Sequence, residues 1–296
     1  MKAVVFGIHG QDGYYLNNIL QKNNVQVMGV SRSEGNWVRG DVSNRTFVEE
    51  LIRNHQPDYV FHLAANSTTR HDALFENHET ISTGTLNILE TVYKYSPGTK
   101  VFLSGSCLQF VNEGNPINEF TPFKANDIYS AERIFSVYAA RYFRHLGMKV
   151  YVGYFFHHDS PLRSEKHINM AIVRAAKRLK NGSKEIIEIG DPCVVKEFNH
   201  AKDLMQAIWM FVNQNELFEM VIGCGVGHSI NEWINTCSHV LGINLQGHIK
   251  IKENFKSDFS IMVSSPESLM GLGWRPEYDM NDLAKDMINP SKEIEL

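Results

Sequence analysis

The sequence lacks the features typical of disulfide-rich, metal-stabilised and membrane-spanning proteins. Its four cysteines lie far apart and form no CxxC pair, which favours reduced thiols over a disulfide framework or a metal site. No apolar run approaches membrane-spanning length, and the first one is too short for a signal-peptide core. We therefore expect a cytoplasmic protein with no metal ion and no membrane partner.

The sequence also has little excess charge. A net charge of −4 over 296 residues gives no electrostatic reason to expect a nucleic-acid partner. Composition is ordinary for a globular protein, with 43% hydrophobic and 21% charged residues. This length is sufficient for one large domain or two coupled domains.

A glycine-rich turn is the strongest motif that is present. An apolar run at residues 3–6 is followed by Gly7, Gly10 and Gly13 and then by an amphipathic helical pattern. A strand that turns tightly into a helix directs unpaired N–H groups and the positive end of the helix dipole at one point, which suits a pyrophosphate. We assign Gly7, Gly10, Gln11, Asp12 and Gly13 to cofactor binding; the alternative is an ordinary glycine turn.

Strand and helix patterns alternate through the first half of the chain. Strands are predicted at 25–30, 58–65, 100–105 and 149–156, with helices at 43–55, 79–95 and 129–145 between them. This alternation predicts an α/β Rossmann fold, a doubly wound parallel sheet with a smaller α/β substrate-binding lobe. We expect residues 1–156 to form the dinucleotide-binding domain, rejoined by parts of 196–224, and residues 157–296 to form a discontinuous second lobe.

The end of the second strand indicates which dinucleotide binds. An acidic residue there would favour NAD, but the sequence has Ser31 followed by Arg32, a cation suited to a 2′-phosphate. NADP(H) is therefore expected; NAD(H) and a solvated loop arginine are the alternatives. Asp41, followed by Val42, is a candidate partner for the adenine amino group. Other cofactor contacts are expected at the strand ends: Leu63, Ala64, Ala65, Ser104 and Phe156.

Several stretches together resemble one enzyme family. GIHGQDGYYL, PDYVFHLAANS, FFHHDSP, KEFNHAKDLMQAIW and LGWRP are similar to extended short-chain dehydrogenases/reductases, above all GDP-mannose 4,6-dehydratases and GDP-4-keto-6-deoxymannose reductases. The resemblance spans almost the whole chain. It implies a nucleotide-sugar substrate, GDP-linked, and a homodimer or homotetramer paired through the helices that begin near residues 79 and 129.

The resemblance also implies catalytic residues. The family's tyrosine acts as acid or base on a sugar oxygen, and Tyr129 matches it; Ser106 matches the serine or threonine that binds the same oxygen. A cation four residues after the tyrosine holds the nicotinamide ribose and favours the ionised phenol. Here that position is Arg133, where the family has lysine. A half-buried tyrosine without a catalytic role is the alternative for Tyr129.

One departure from the family concerns the reaction itself. A 4,6-dehydratase removes the C5 proton with a glutamate two residues after the serine or threonine, whereas this chain has Cys107 and then Leu108. Leucine carries no proton, so the sequence favours a 4-ketoreductase or a 4-dehydrogenase/epimerase. The alternatives are a dehydratase with a relocated base, such as Glu132 or Asp159, and a non-catalytic cofactor-binding homologue.

Substrate contacts follow from the same resemblance. The family's nucleotide-binding segment corresponds to His157 and His158, which either contact phosphate or pack as strand-end histidines. Phe259 occupies the place of the family's distal carboxylate, so a base other than guanine stays open. The remaining predicted substrate contacts are Ser67, Ser106, Cys107, Leu108, Arg163, Lys196 and Lys256.

Overall fold

The central element is a seven-stranded, fully parallel sheet. In this computed structural model, which describes residues 1–66 and 68–290, the strand order is β11-β6-β5-β4-β1-β2-β3. The apolar runs form its middle strands because parallel strands covered on both faces need continuous apolar sequence. The strands are β1 Lys2–Phe6, β2 Gln26–Ser31, β3 Val38–Arg39, β4 Tyr59–His62, β5 Lys100–Ser106, β6 Lys149–Phe155 and β11 Glu219–Ile222.

Helices cover both faces of this sheet. One face packs against α2, α4 and α5, and the other against α1 and α7, each through its own hydrophobic core. The predicted α/β doubly wound fold is thus confirmed. The helices are α1 Gln11–Lys22, α2 Arg45–His55, α3 Leu74–Asn77, α4 Gly84–Tyr95, α5 Ile128–His145 and α7 Ala201–Val212.

A third hydrophobic core lies in the second half of the chain. Its helices are α6 Ile168–Lys180, α8 Ile230–Leu241 and α10 Met280–Ile288, which pack around buried side chains such as Trp233. Short strands surround them: β7 His158–Asp159, β8 Ile187–Ile189, β9 Val195–Glu197, β10 Asn199–His200, β12 Gly227–Ser229, β13 Ile249–Ile251 and β14 Ile261–Met262, followed by α9 Glu267–Gly271. The division of the chain at residue 156 stays a prediction.

The helix predicted at 79–95 differs from the observed one. The chain is helical from Leu74, and a π-helical segment, His78–Thr83, separates α3 from α4. The widened turns hold Ser82 against Glu132 of α5, whose carboxylate also accepts from His78 Nδ1 at 3.0 Å. None of the helices in the described ranges combines the length and apolarity needed to cross a bilayer.

Glu219 is the main ionic connection between α5 and the sheet edge. Its carboxylate accepts hydrogen bonds from Arg141 at 2.8 Å and from the Tyr154 hydroxyl at 2.7 Å, and it pairs with Arg144. Burial alone would raise the pKa of Glu219, but these donors and the arginine charges lower it to about 2. The native state therefore holds Glu219 ionised far below the pH at which an unfolded glutamate protonates.

We predict that Glu219→Gln lowers the free energy of unfolding by about 2–3 kcal/mol at pH 7. The contribution of a depressed pKa is complete above about pH 4.5 and disappears as the pH falls towards 2, so the loss at pH 3 should be about half as large. Urea unfolding of both proteins at the two pH values measures it. Glu188→Gln, which removes an exposed pair with Lys250, is the control. An equal loss at both pH values would contradict this account.

Candidate active site

The β1–α1 turn requires its glycines for different reasons. Gly7 has φ +91°, and a Cβ there would lie 2.7 Å from the backbone nitrogen of Ala64. A Cβ on Gly13 would lie 2.3 Å from the Gly7 oxygen, so this glycine lets helix and strand pack closely. Gly10 is the N-cap of α1, and no side chain caps the helix there. Its first N–H groups are thus available to an anion.

The predicted adenosine-side contacts line one cavity of about 200 Å³ at the carboxyl ends of β1, β2 and β4. Three of their side chains already have partners: Asp41 accepts from the N–H and hydroxyl of Ser43, the Ser31 hydroxyl lies 3.0 Å from that of Ser33, and Arg32 pairs with Glu76 at 2.7 Å. The predicted residues in the lining are Gly7, Gly10, Ser31, Arg32, Asp41, Val42, Leu63, Ala64 and Ala65.

The side chains of Gln11 and Asp12 connect the turn to the second half of the chain. Gln11 is buried and accepts from the Ser160 hydroxyl at 2.9 Å, so it lines neither cavity. Asp12 lies 3.0 Å from His158 Nε2. Burial lowers the pKa of His158, but the charge and hydrogen bond of Asp12 outweigh it and raise that pKa. This pair lies beside the start of α1, and it favours the protonated form of the His158 ring.

A second cavity, also of about 200 Å³, contains the predicted catalytic residues Ser106, Tyr129 and Arg133. It opens at the ends of β4, β5 and β6 and shares Leu63 with the first cavity. The side chain of Asp127 caps α5, which begins at Ile128. This cap fixes the start of the helix and so positions Tyr129 in its first turn. The other predicted residues in the lining are Asp12, Ser104, Cys107, Leu108, Phe156, His157, His158 and Arg163.

Arg133 is a buried cation that pairs with no carboxylate among the described residues. It is 4% exposed, and its Nη1 donates to the backbone oxygen of Ser104 and, at 2.9 Å, to the Ser104 hydroxyl. The guanidinium carbon lies 5.1 Å from the centre of the Tyr129 ring, and Nε has no partner. A buried charge with an unused donor is costly unless a ligand satisfies it. These residues therefore fit a dinucleotide that brings hydroxyl and phosphate oxygens.

The cavity contains little that can remove a carbon-bound proton. Leu108 is half-buried and lies between this cavity and a neighbouring one of about 460 Å³. Burial raises the pKa of the Cys107 thiol to about 12. The two proposed substitute bases are engaged elsewhere, Glu132 with His78 and Asp159 with Arg163 and Asn169. Of the described residues that line the cavity, only Asp12 has a carboxylate, and it is paired with His158.

The far side of the cavity is basic. Arg163 lines it, and Lys196, which is 7% exposed and is not part of the lining, is close enough to Arg163 for their charges to interact. Burial lowers the pKa of Lys196. His157 stays neutral because burial and neighbouring cations hold its pKa well below the usual value. Its buried Nδ1 has no partner in the described structure, and its ring packs 5.6 Å from Phe259. Phosphate contact by His157 would therefore use a neutral imidazole, whereas Arg163 brings a positive charge.

Two predicted substrate contacts, Lys196 and Lys256, do not line these cavities. Lys256 lies in the exposed segment between β13 and β14 and lines neither of them, because the chain follows the surface after Ile251. Ser67 lies outside the described residues. Residues that the sequence interpretation missed include Thr68, Thr69 and His167 in the catalytic cavity and His9 and Thr80 in the adenosine cavity. Thr68 and Thr69 follow β4, so the rule that ligands bind at strand ends applies to them too.

Known proteins resemble this chain in sequence and in fold. GDP-mannose 4,6 dehydratase 1 of Arabidopsis thaliana is 25% identical over 330 residues, covering 99% of this chain and 90% of that protein. Two solved structures share the fold. The dTDP-glucose 4,6-dehydratase of Bacillus anthracis in complex with NAD has a TM-score of 0.86 at 18% identity, covering 97% of this chain and 95% of the other. RMD from Pseudomonas aeruginosa complexed with NADPH has a TM-score of 0.83 at 19% identity, covering 97% of both chains.

A sequence profile covers nearly the whole chain. The profile described as GDP-mannose 4,6 dehydratase matches residues 4–287. This chain therefore belongs to the GDP-mannose 4,6-dehydratase family, a group of extended short-chain dehydrogenase/reductase enzymes that modify nucleotide sugars.

Proposed function

We propose that this protein oxidises or reduces C4 of a GDP-linked hexose or heptose with NADP(H), as a 4-ketoreductase or 4-dehydrogenase/epimerase. One observation carries the proposal. Ser106, Tyr129 and Arg133 share a cavity whose lining has a leucine at position 108 and no unpaired carboxylate among the described residues. Transfer of hydride at C4 needs an acid or base on the C4 oxygen, whereas dehydration also needs a base for the C5 proton.

Each residue then has a defined task. In the reductive direction the Tyr129 hydroxyl gives its proton to the C4 oxygen, and in the oxidative direction the phenolate takes it back. Ser106 hydrogen-bonds the same oxygen, and the unused donors of Arg133 hold the nicotinamide ribose. When bound, the nicotinamide supplies or accepts the hydride at C4.

The cofactor assignment rests on Arg32. Its side chain lines the adenosine cavity at the end of β2, where a 2′-phosphate would lie. Among proteins of this fold one is named as an NADPH complex and another as an NAD complex, so the fold supports a nicotinamide dinucleotide and leaves NAD(H) as the alternative.

The substrate assignment rests on the basic wall. Arg163 lines the cavity, and buried Lys196 lies within electrostatic reach of Arg163. These cations match the charge of a nucleoside diphosphate. We infer that the nucleotide of the substrate is GDP from the name of the Arabidopsis relative. All four cysteines are free thiols in the described structure, in keeping with our proposal of a cytoplasmic location.

Two other functions fit the catalytic cavity less well. A 4,6-dehydratase is favoured by the names of the relatives, but neither Glu132 nor Asp159 lines the catalytic cavity; Glu132 is engaged by His78, and Asp159 is paired with Arg163. A non-catalytic cofactor-binding homologue has Arg133 and Leu108 in its favour. A protein that only binds the cofactor does not need Tyr129 and Ser106 in one cavity, whereas this chain has both there.

We predict that Tyr129→Phe lowers kcat by about 10²–10⁴-fold, because the variant has no proton to exchange with the C4 oxygen. The affinity for dinucleotide should change less than about threefold, since the ring remains below Arg133. Turnover of GDP-4-keto-6-deoxymannose with NADPH and calorimetric titration with NADP⁺ measure the two effects. Tyr138→Phe, an exposed position on the same helix, is the control. Retained turnover in Tyr129→Phe would remove this residue from the mechanism.

We predict that Leu108→Glu gains a detectable loss of water from GDP-mannose in the presence of NADP⁺, because it supplies the missing carboxylate. Leu108→Gln has a similar size but no base and should show none. Mass spectrometry of the sugar nucleotide detects the loss of 18 mass units, the mass of one water molecule. Robust dehydration by the unaltered protein would show that a different base exists and would overturn the reductase assignment.

We also propose a homodimer formed through α4 and α5. Phe135, Tyr138 and Tyr142 recur at spacings of three and four on α5, and all are exposed, as are Leu86 and Tyr93 of α4. An exposed apolar face of this kind is typical of an interface. Light scattering should give the dimer mass for the unaltered protein and the monomer mass for Phe135→Glu. Phe120→Glu, at an 86% exposed residue outside these helices, should remain dimeric. A monomeric unaltered protein would contradict the proposal.

A further inference from the structure

The cation expected to bind the 2′-phosphate already has an anionic partner. Arg32 Nη2 lies 2.7 Å from Glu76 Oε1, and the side chains are 57% and 38% exposed. Glu76 comes from the short helix α3, which is 44 residues further along the chain. A phosphate that approaches Arg32 therefore meets a guanidinium whose charge is balanced by this carboxylate.

Glu76 is also held independently of Arg32. Its second oxygen accepts a hydrogen bond from Asn66 Nδ2 at 2.7 Å, in the segment that follows β4. Arg32 and Asn66 together lower the pKa of Glu76, which therefore stays ionised at neutral pH. If Arg32 turns towards a ligand, the Asn66 contact keeps the negative charge of Glu76 close to the ribose end of the cavity.

The two dinucleotides experience this carboxylate differently. NADP carries a 2′-phosphate with about −1.5 to −2 charges at neutral pH, whereas NAD carries a neutral hydroxyl there. The phosphate must break the Arg32–Glu76 pair and then bear the repulsion of Glu76, while NAD can bind with the pair intact. Exposed ion pairs are weak, so Arg32 can change partner, but the repulsion persists for as long as Glu76 is ionised.

We propose that Glu76 is a selectivity residue that weakens NADP(H) binding relative to NAD(H) by competing with the 2′-phosphate for Arg32. This inference rests on the cofactor site of the proposed function. It goes further by assigning the balance between the two dinucleotides to a residue outside the glycine turn and outside β2.

The test is calorimetric titration of the purified protein with NADP⁺ and with NAD⁺, without any sugar. Glu76→Gln keeps the size and the Asn66 contact but removes the charge. We expect the Kd of NADP⁺ to fall about 5- to 20-fold and that of NAD⁺ to change less than twofold. Glu76→Ala, which also removes the hydrogen-bonding group, should give the same direction of change.

Glu34→Gln is the matched control. Glu34 pairs with Arg39 at 3.2 Å in the neighbouring exposed segment, and neither residue lines the adenosine cavity. The Glu34→Gln variant removes one negative charge near the site and leaves the Arg32–Glu76 pair intact. The affinities for NADP⁺ and for NAD⁺ should therefore each change less than twofold. An equal gain for NADP⁺ in this control would mean that net charge, not Glu76, sets the preference, and would overturn the inference.

The double variant Arg32→Ala/Glu76→Gln, compared with Arg32→Ala, tests whether Glu76 acts on NADP⁺ binding through Arg32. If Glu76 acts through Arg32, at least part of the gain for NADP⁺ disappears when the arginine is absent. Unchanged affinity for both dinucleotides in Glu76→Gln, or equal gains for both, would overturn the inference and leave the catalytic proposal intact. Failure of both dinucleotides to bind any variant would overturn the cofactor site and this inference together.

Discussion

The tight β1–α1 turn is the constraint on which the rest of the site depends. Gly7 adopts φ +91° against the backbone of Ala64, and Gly13 permits the helix to lie against the strand. The helix therefore starts at the carboxyl edge of the sheet with uncapped N–H groups. Asp12 and Gln11, on the first turn of α1, then hold residues 158–160. The same short segment thus leaves N–H groups free at the start of α1 and holds residues 158–160 beside them.

Charge is distributed unevenly around the two cavities. Arg133 and Arg163 line the catalytic cavity, and the pair of His158 with Asp12 lies beside them. The carboxylates nearby are already paired, Glu132 with π-helical residues and Asp159 with Arg163. Such a cavity favours anionic ligands and offers few groups that accept a proton from carbon. This is why we propose proton exchange on a sugar oxygen, which requires only hydroxyl groups such as those of Tyr129 and Ser106.

The sequence predicted well what depends on periodicity and on strand ends. Alternating patterns predicted the parallel sheet, and the strand-end rule placed Ser106 and Ala65 at the cavities where the structure has them. Arg133, on α5, was predicted from the family resemblance and also lines the catalytic cavity. The sequence predicted poorly the contacts between side chains that lie far apart along the chain. Nothing in the pattern around Arg32 indicates Glu76, because Glu76 lies 44 residues further along the chain, on the short helix α3. Lys256 was assigned from alignment to a motif alone, and the surface course of its segment takes it away from both cavities.

The arginine at position 133 is better explained by geometry than by loss of function. A lysine is a single point charge, whereas the guanidinium presents five donors in a plane. One nitrogen of Arg133 contacts both oxygens of Ser104, and Nε remains free and buried. The side chain is thus tied to the end of β5 and still has donors for a ribose. A protein that had stopped binding a dinucleotide would gain stability by replacing this unpaired buried cation, since an uncompensated charge disfavours the folded state. Its presence above the Tyr129 ring, in a cavity that also contains Ser106, is the arrangement that a working oxidoreductase needs.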